Sequence, residues 1–87
     1  MSNKVTQKEI DALLDAATPE EHIFHGKELV VSYLLSNGFT VTGRAACVDP
    51  ANFDLEVGRQ IARENAEHQL WTLEGYRLQL SLAANRA

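Results

Sequence analysis

The sequence predicts an α+β domain, and three observations carry that expectation. Glu28 to Ser36 (ELVVSYLLS) is β-branched and apolar, and it runs through Asn37-Gly38 into the alternating segment Phe39 to Arg44. An Asn-Gly pair between two such runs marks a β-hairpin. Asp49-Pro50 then sets a capping carboxylate and an N1 proline ahead of a long helical pattern. Nearer the start, Thr6-Gln7-Lys8-Glu9 fits a capping box before Ile10, Leu13, Leu14 and Ala17, which recur at helical spacing. The expected order is an N-terminal helix, an antiparallel hairpin at about 28–36 and 39–47, a long helix at about 50–70 and a short C-terminal helix. A third strand at 76–82 is the alternative for the tail.

At 87 residues the chain makes one domain, read as a helix-and-loop arm over 1–26 and a hairpin–helix core over 27–87. A chain this short buries only roughly 60–65% of its unfolded surface, which favours oligomerisation, and a dimer is expected. Apolar residues make up 45% and charged residues 23%, a globular rather than a disordered composition. The formal net charge of −4 argues against direct nucleic-acid binding, which needs a basic face to displace counterions from phosphates. The single Cys47 excludes an internal disulfide and suits a reducing cytosol. No apolar run approaches the ~20 residues needed to span a bilayer. The start, MSNKVTQKEI, has no apolar signal core. These features describe a small cytoplasmic protein without a membrane partner.

In the N-terminal helix, Lys8, Asp11 and Asp15 fall away from the apolar stripe. Alone such a helix is unstable in water, so it acts as a lid or docks on a partner. Thr18-Pro19-Glu20-Glu21 repeats the helix-start signal, but His22 to Gly26 offers no periodic face. That stretch reads as one helical turn and a loop. A two-residue type I′ turn needs positive φ at both Asn37 and Gly38, and it pairs Ser36 with Phe39, Leu34 with Val41 and Ser32 with Gly43. One face of the hairpin then carries Val30, Leu34, Phe39 and Val41. The other carries Leu29, Val31, Tyr33 and Leu35 opposite Thr40, Thr42 and Arg44. The first strand is apolar on both faces, so either the N-terminal helix or another subunit covers the second.

For the long helix, Asn52 and Asp54 are alternative caps that would move its start later. Phe53, Val57, Ile61 and Trp71 form a face fit to lie on the sheet. Gly58, Ala62 and Ala66, flanked by Leu55 and Leu70, form a second face whose small residues permit close helix–helix approach. Glu56, Arg59, Gln60, Arg63 and Glu67 make the wet strip. In the tail, Tyr76, Leu78, Leu80 and Leu82 alternate as in a strand, while Leu73, Tyr76, Leu80 and Ala83 fit a helix. Thr72 is a plausible cap for that second helix.

No catalytic constellation stands out, and no enzymatic activity is expected. His22 and His25 lack further ligands at a recognisable spacing, so no metal site is assigned. Cys47, among Ala45, Ala46 and Val48, reads as a small buried hydrophobe rather than a nucleophile. Asp49 and Asp54 sit where capping wants a carboxylate. Gly38 and Gly43 belong to no phosphate-cradling motif, and no cofactor is implied. The binding candidates are Arg44, Arg59 and Arg63, a trio able to grip a phosphate or a partner's carboxylates. Against that stands ordinary pairing of Arg59 with Glu56 and of Arg63 with Glu67. Trp71 and Tyr76, flanking the expected helix break, are candidate interface anchors, with core packing as the other reading.

The blocks NGFTVTG, ACVDPANFD, GRQIARENA and LW-x-LEGY together resemble a family of small tailed-bacteriophage proteins, the phage gp forty-nine/gp sixty-six family. The resemblance covers about Ser36 to Leu82, and the residues before about Glu28 fall outside it. It implies a phage accessory gene product in the host cytoplasm and favours a helix at 72–82, and it brings no mechanism with it. The expected function is therefore a non-enzymatic phage accessory protein that binds and inhibits or redirects a host protein, host-defence factors such as CRISPR or restriction machinery included. The alternative is a small-ligand binder that sequesters a nucleotide signal through Arg44, Arg59, Arg63 and an aromatic side chain.

Overall fold

The computed structural model describes residues 3–86. Helix α1 (Gln7–Asp15) is followed by strands β1 (Thr18–Phe24), β2 (Glu28–Leu34) and β3 (Thr40–Ala46), and then by the long helix α2 (Leu55–Arg86). The strands form one antiparallel sheet in the order β1-β2-β3. Thr6 is the N-cap of α1, and its Oγ1 accepts from the Glu9 N–H at 3.3 Å, the threonine's part of the expected capping box. Ile10 and Leu14 are buried, with Leu13 and Ala17 packed against the same core.

Residues 18–24 form an edge strand, not a helical turn and loop. Thr18-Pro19 mimics a helix start, yet all seven residues of β1 are exposed, so no burial period is written into the sequence. The turn joining β1 to β2 is the tight one. His25 and Gly26 have φ of 55° and 67°, and the Lys27 N–H donates to the Phe24 carbonyl at 3.0 Å. Positive φ at both central residues is the type I′ pattern.

The β2–β3 turn is therefore not the two-residue turn the Asn-Gly pair suggested. Among its residues only Gly38 has positive φ, at 92°. The Gly38 N–H donates to Leu35 at 2.9 Å and the Leu35 N–H to Phe39 at 2.8 Å, which closes a three-residue loop. That is the type I turn with a following left-handed glycine. Asn37 serves the loop through its side chain, accepting from the Phe39 N–H at 2.9 Å. The register moves by one residue: Leu34 pairs with Thr40, Tyr33 with Val41 and Val31 with Gly43. A one-residue slip exchanges faces. Val41 accordingly joins Leu29, Val31, Tyr33 and Leu35 in the core, while Val30 and Leu34 share the other face with Thr40, Thr42 and Arg44.

Asp49 and Pro50 start a short 3-10 turn, Pro50–Asn52, with the Asp49 carboxylate accepting from the Ala51 N–H. Asp54 then caps α2, its Oδ1 accepting from the N–H groups of Glu56 and Val57 at 3.0 and 3.2 Å. The helix runs without a break to Arg86, so neither a separate C-terminal helix nor a strand at 76–82 forms. The face it lays on the sheet is the one with small residues: Gly58, Ala62, Ala66 and Leu70 are buried. Val57 and Ile61 face outward and are about half exposed, and Trp71 is 36% exposed. Small residues win because α2 comes very close to β3: a Cβ built on Gly43 would lie 1.8 Å from the Ala62 carbonyl oxygen.

Side chains of α2 also close the outer edge of β3. Asn65 accepts from the Arg44 N–H at 3.1 Å, and Gln69 donates to the Thr42 carbonyl. Two of the edge groups that would otherwise template strand addition are thereby satisfied. Helix α1 lies on the same face of the sheet as α2, with Ile10 and Leu14 in one cluster with Leu29, Tyr33, Ala66 and Leu70. It does not cover the second face, which stays bare among the described residues.

Candidate functional site

Two surfaces are set apart by this architecture. The first is the bare face of the sheet. Strand alternation places Thr18, Glu20, His22 and Phe24 of β1 there, beside Glu28, Val30, Ser32 and Leu34 of β2. Phe24 is 40% and Leu34 47% exposed. The His22 and Phe24 rings lie 4.3 Å apart between centroids. Arg44 borders this face and its guanidinium meets Glu28 at 2.8 Å. A depression of about 190 Å³ lies between Thr18, Glu20, Ser32, Leu34 and Thr40, too small for a drug-sized ligand.

The second surface lies where α2 leaves the sheet. An apolar groove of about 310 Å³ opens between Leu13 of α1, Leu35 and Phe39 at the β2–β3 turn, and Leu70 and Leu73 of α2. Asn37, Glu74 and Arg77 are its polar lining, and Arg77 Nε sits 3.1 Å from the Glu74 carboxylate. Past Leu70 no described residue is buried.

The arginine trio does not converge. Arg44 points to the bare face, since its neighbours Gly43 and Ala45 face the helices. Arg59 and Arg63 stand in the helical layer and tie it together. Arg59 Nε and Nη2 grip the Glu21 carboxylate of β1 at 2.7 and 3.0 Å, with Glu56 on Nη1 at 2.8 Å. The two-point hydrogen bond from Arg59 holds the Glu21 carboxyl below its ordinary range and raises the guanidinium in turn. Arg63 reaches α1, donating to Asp15 at 2.9 Å and to the Asp11 carbonyl at 3.5 Å. Pairing of Arg59 with Glu56 is as the spacing suggests; the contacts with β1 and α1 depend on tertiary structure that no local spacing reveals.

The aromatic candidates part company too. Trp71 lies on the outer side of α2 beside Glu64, Glu67 and His68, while Tyr76 projects from the free half of the helix at 66% exposure. Neither flanks a break, because the helix has none. Cys47 is half-buried and its Sγ–H donates to the Asp49 carbonyl at 3.2 Å. Among the described residues no three His, Cys, Asp or Glu side chains gather to hold a metal ion, and no helix is long and apolar enough to cross a membrane. The groove residues Leu13, Leu35 and Phe39 were not singled out by sequence, since each reads as ordinary core until the fold brings them to one rim.

No curated protein and no solved structure matches the chain. A family profile does, over residues 4–82, so the likeness includes α1 and β1 and is not confined to the part after Glu28. The chain belongs to the phage protein (N4 Gp49/phage Sf6 gene 66) family.

Proposed function

We propose that this phage protein works without catalysis, by binding a host protein through the bare face of its sheet. The observation that carries the reading is that both helices lie on one side of the sheet. Antiparallel sheets with a solvated face normally make it polar. Here Phe24 at the end of the edge strand, Val30 on the central strand and Leu34 at its far end stand among Glu20, Glu28, Arg44 and threonines, a face of apolar anchors interspersed with charge that a protein partner can cover. Edge strand β1 borders the same face with its seven residues exposed. Host-defence proteins, CRISPR and restriction enzymes among them, are the first partners to test, because a small non-catalytic phage product acts by occupying a surface.

A tagged protein should retain one stoichiometric host protein from lysate, and Leu34→Glu or Phe24→Glu should release it. Recovery of the bait alone, or capture indifferent to both substitutions, would sink the reading. The runner-up, a sponge for nucleotide signals, calls for Arg44, Arg59 and Arg63 to share a ligand. Arg44 lies across the sheet from the other two, and all three already hold carboxylates. A thermal-shift panel of cyclic and ADP-ribose-type nucleotides should therefore leave the melting point unmoved.

A further inference from the structure

The side of α2 that lies on the sheet stays apolar after the sheet ends. At about 100° per residue, Leu73, Tyr76 and Leu80 continue the line of Ala62, Ala66 and Leu70. They are 41, 66 and 55% exposed. An isolated helix of this length is marginal in water, and Gly75 within it weakens it further. Yet the helix runs on to Arg86, and the apolar groove lies at the base of this free half.

We infer that a second copy of this chain covers that surface. The two free halves pair antiparallel about a two-fold axis near Tyr76 and Arg77, and each sends its last turns towards the other's groove. A two-fold contact requires a surface complementary to itself, and this stripe meets the requirement. When Leu73 of one helix is level with Leu80 of the other, the same layer recurs by symmetry. The tyrosines then meet near the axis, and Leu70 comes level with Ala83 of the second copy. Glu74 and Arg77 lie on one flank of the stripe, and antiparallel pairing turns that flank towards its own copy. Glu74 then stands about 3 Å along the axis from Arg77 of the second copy, so opposite charges meet twice.

The chain's own sheet fixes the direction. Before Leu70 the stripe is occupied by β2 and β3, and a parallel partner would bring two sheets into the same space. Antiparallel pairing leaves the sheets at opposite ends. It also leaves both bare sheet faces free, so this inference and the host-binding reading fail independently.

The full chain should sediment as a dimer at about 100 µM, a concentration at which mass action favours even modest association. Leu73→Glu and Leu80→Glu should each give monomers that keep the sheet signal in far-UV circular dichroism, because neither position is in the buried core of the single chain, and that lose helical signal from the unpartnered free half. Glu74→Arg should also shift the protein to monomer, and Glu74→Arg combined with Arg77→Glu should restore the dimer. For direction, Leu73→Cys and Leu80→Cys chains, each also Cys47→Ser, should form a mixed disulfide on oxidation when combined. A monomeric parent overturns the inference, as does a dimer that survives both glutamate substitutions. Self-linking of Leu73→Cys overturns the antiparallel arrangement.

Discussion

At the scale of single residues, the contact that decides the packing is Gly43 against Ala62. The helix backbone sits where a side chain on β3 would be, with 1.8 Å between a Cβ built on Gly43 and the Ala62 carbonyl oxygen. Backbone cannot rotate away as a side chain can. Gly43→Ala should therefore lift α2 and cost about 3 kcal/mol, at the upper end of overpacking effects, read from a urea titration. A variant as stable as the parent would mean that α2 can slide along β3 freely. Glu21 offers a second test, in pH. Its carboxyl is held below the usual glutamate range by the hydrogen bonds from Arg59. A depressed folded pKa adds stability above the unfolded value, and that stability is lost as the pH falls through the folded one. The melting difference between the parent and Glu21→Gln should be present at pH 7 and vanish in acid. A difference that persists at pH 2 would show that the carboxylate's charge is not what matters.

Among the elements, α1, the long helix and the β2–β3 hairpin are legible in the sequence because each has a local signal: a capping box, a capping aspartate, or two β-branched runs about a turn. What escapes is decided by tertiary context. Strand β1 carries no alternation because neither of its faces is buried, and its Thr-Pro start imitates a helix cap. Asn37-Gly38 fits two turn types that differ by one residue in register, and nothing local separates them. The sheet-facing side of α2 is not legible in the sequence because large apolar residues advertise a core, whereas close approach to Gly43 needs small ones. The candidate arginines are legible as residues but not as a group, since Arg44 faces away from Arg59 and Arg63. The missing helix break follows from Gly75 standing in an otherwise helix-forming segment. Nothing lies within 4 Å of the position a Cβ would take there, so only intrinsic propensity counts. Gly75→Ala should stabilise the protein by about 0.5–1 kcal/mol and raise its helical circular dichroism signal. A loss of stability would place an unseen neighbour against that position.

For the whole molecule, the chain extends 56 × 21 × 18 Å, a long shape for a small domain, because α2 is about 48 Å long while the seven-residue strands span only about 23 Å. Among the described residues, every buried apolar one lies at or before Leu70. The free half of α2 thus adds no buried residue to the core of a single chain, and covering its apolar stripe takes a surface from outside that chain. Two consequences separate the possibilities. A chain ended after Thr72 keeps the whole core and should retain the sheet signal in circular dichroism, with a melting point independent of protein concentration. The full chain gains stability by mass action when a second copy binds the folded form, so its melting point should climb as concentration rises. Tenfold steps in concentration resolve the effect, since each shifts a dimer's stability by about 1.4 kcal/mol. Equal, concentration-independent melting of both chains would show that the free half is an independent arm and would leave the apolar stripe open to a partner other than a second copy.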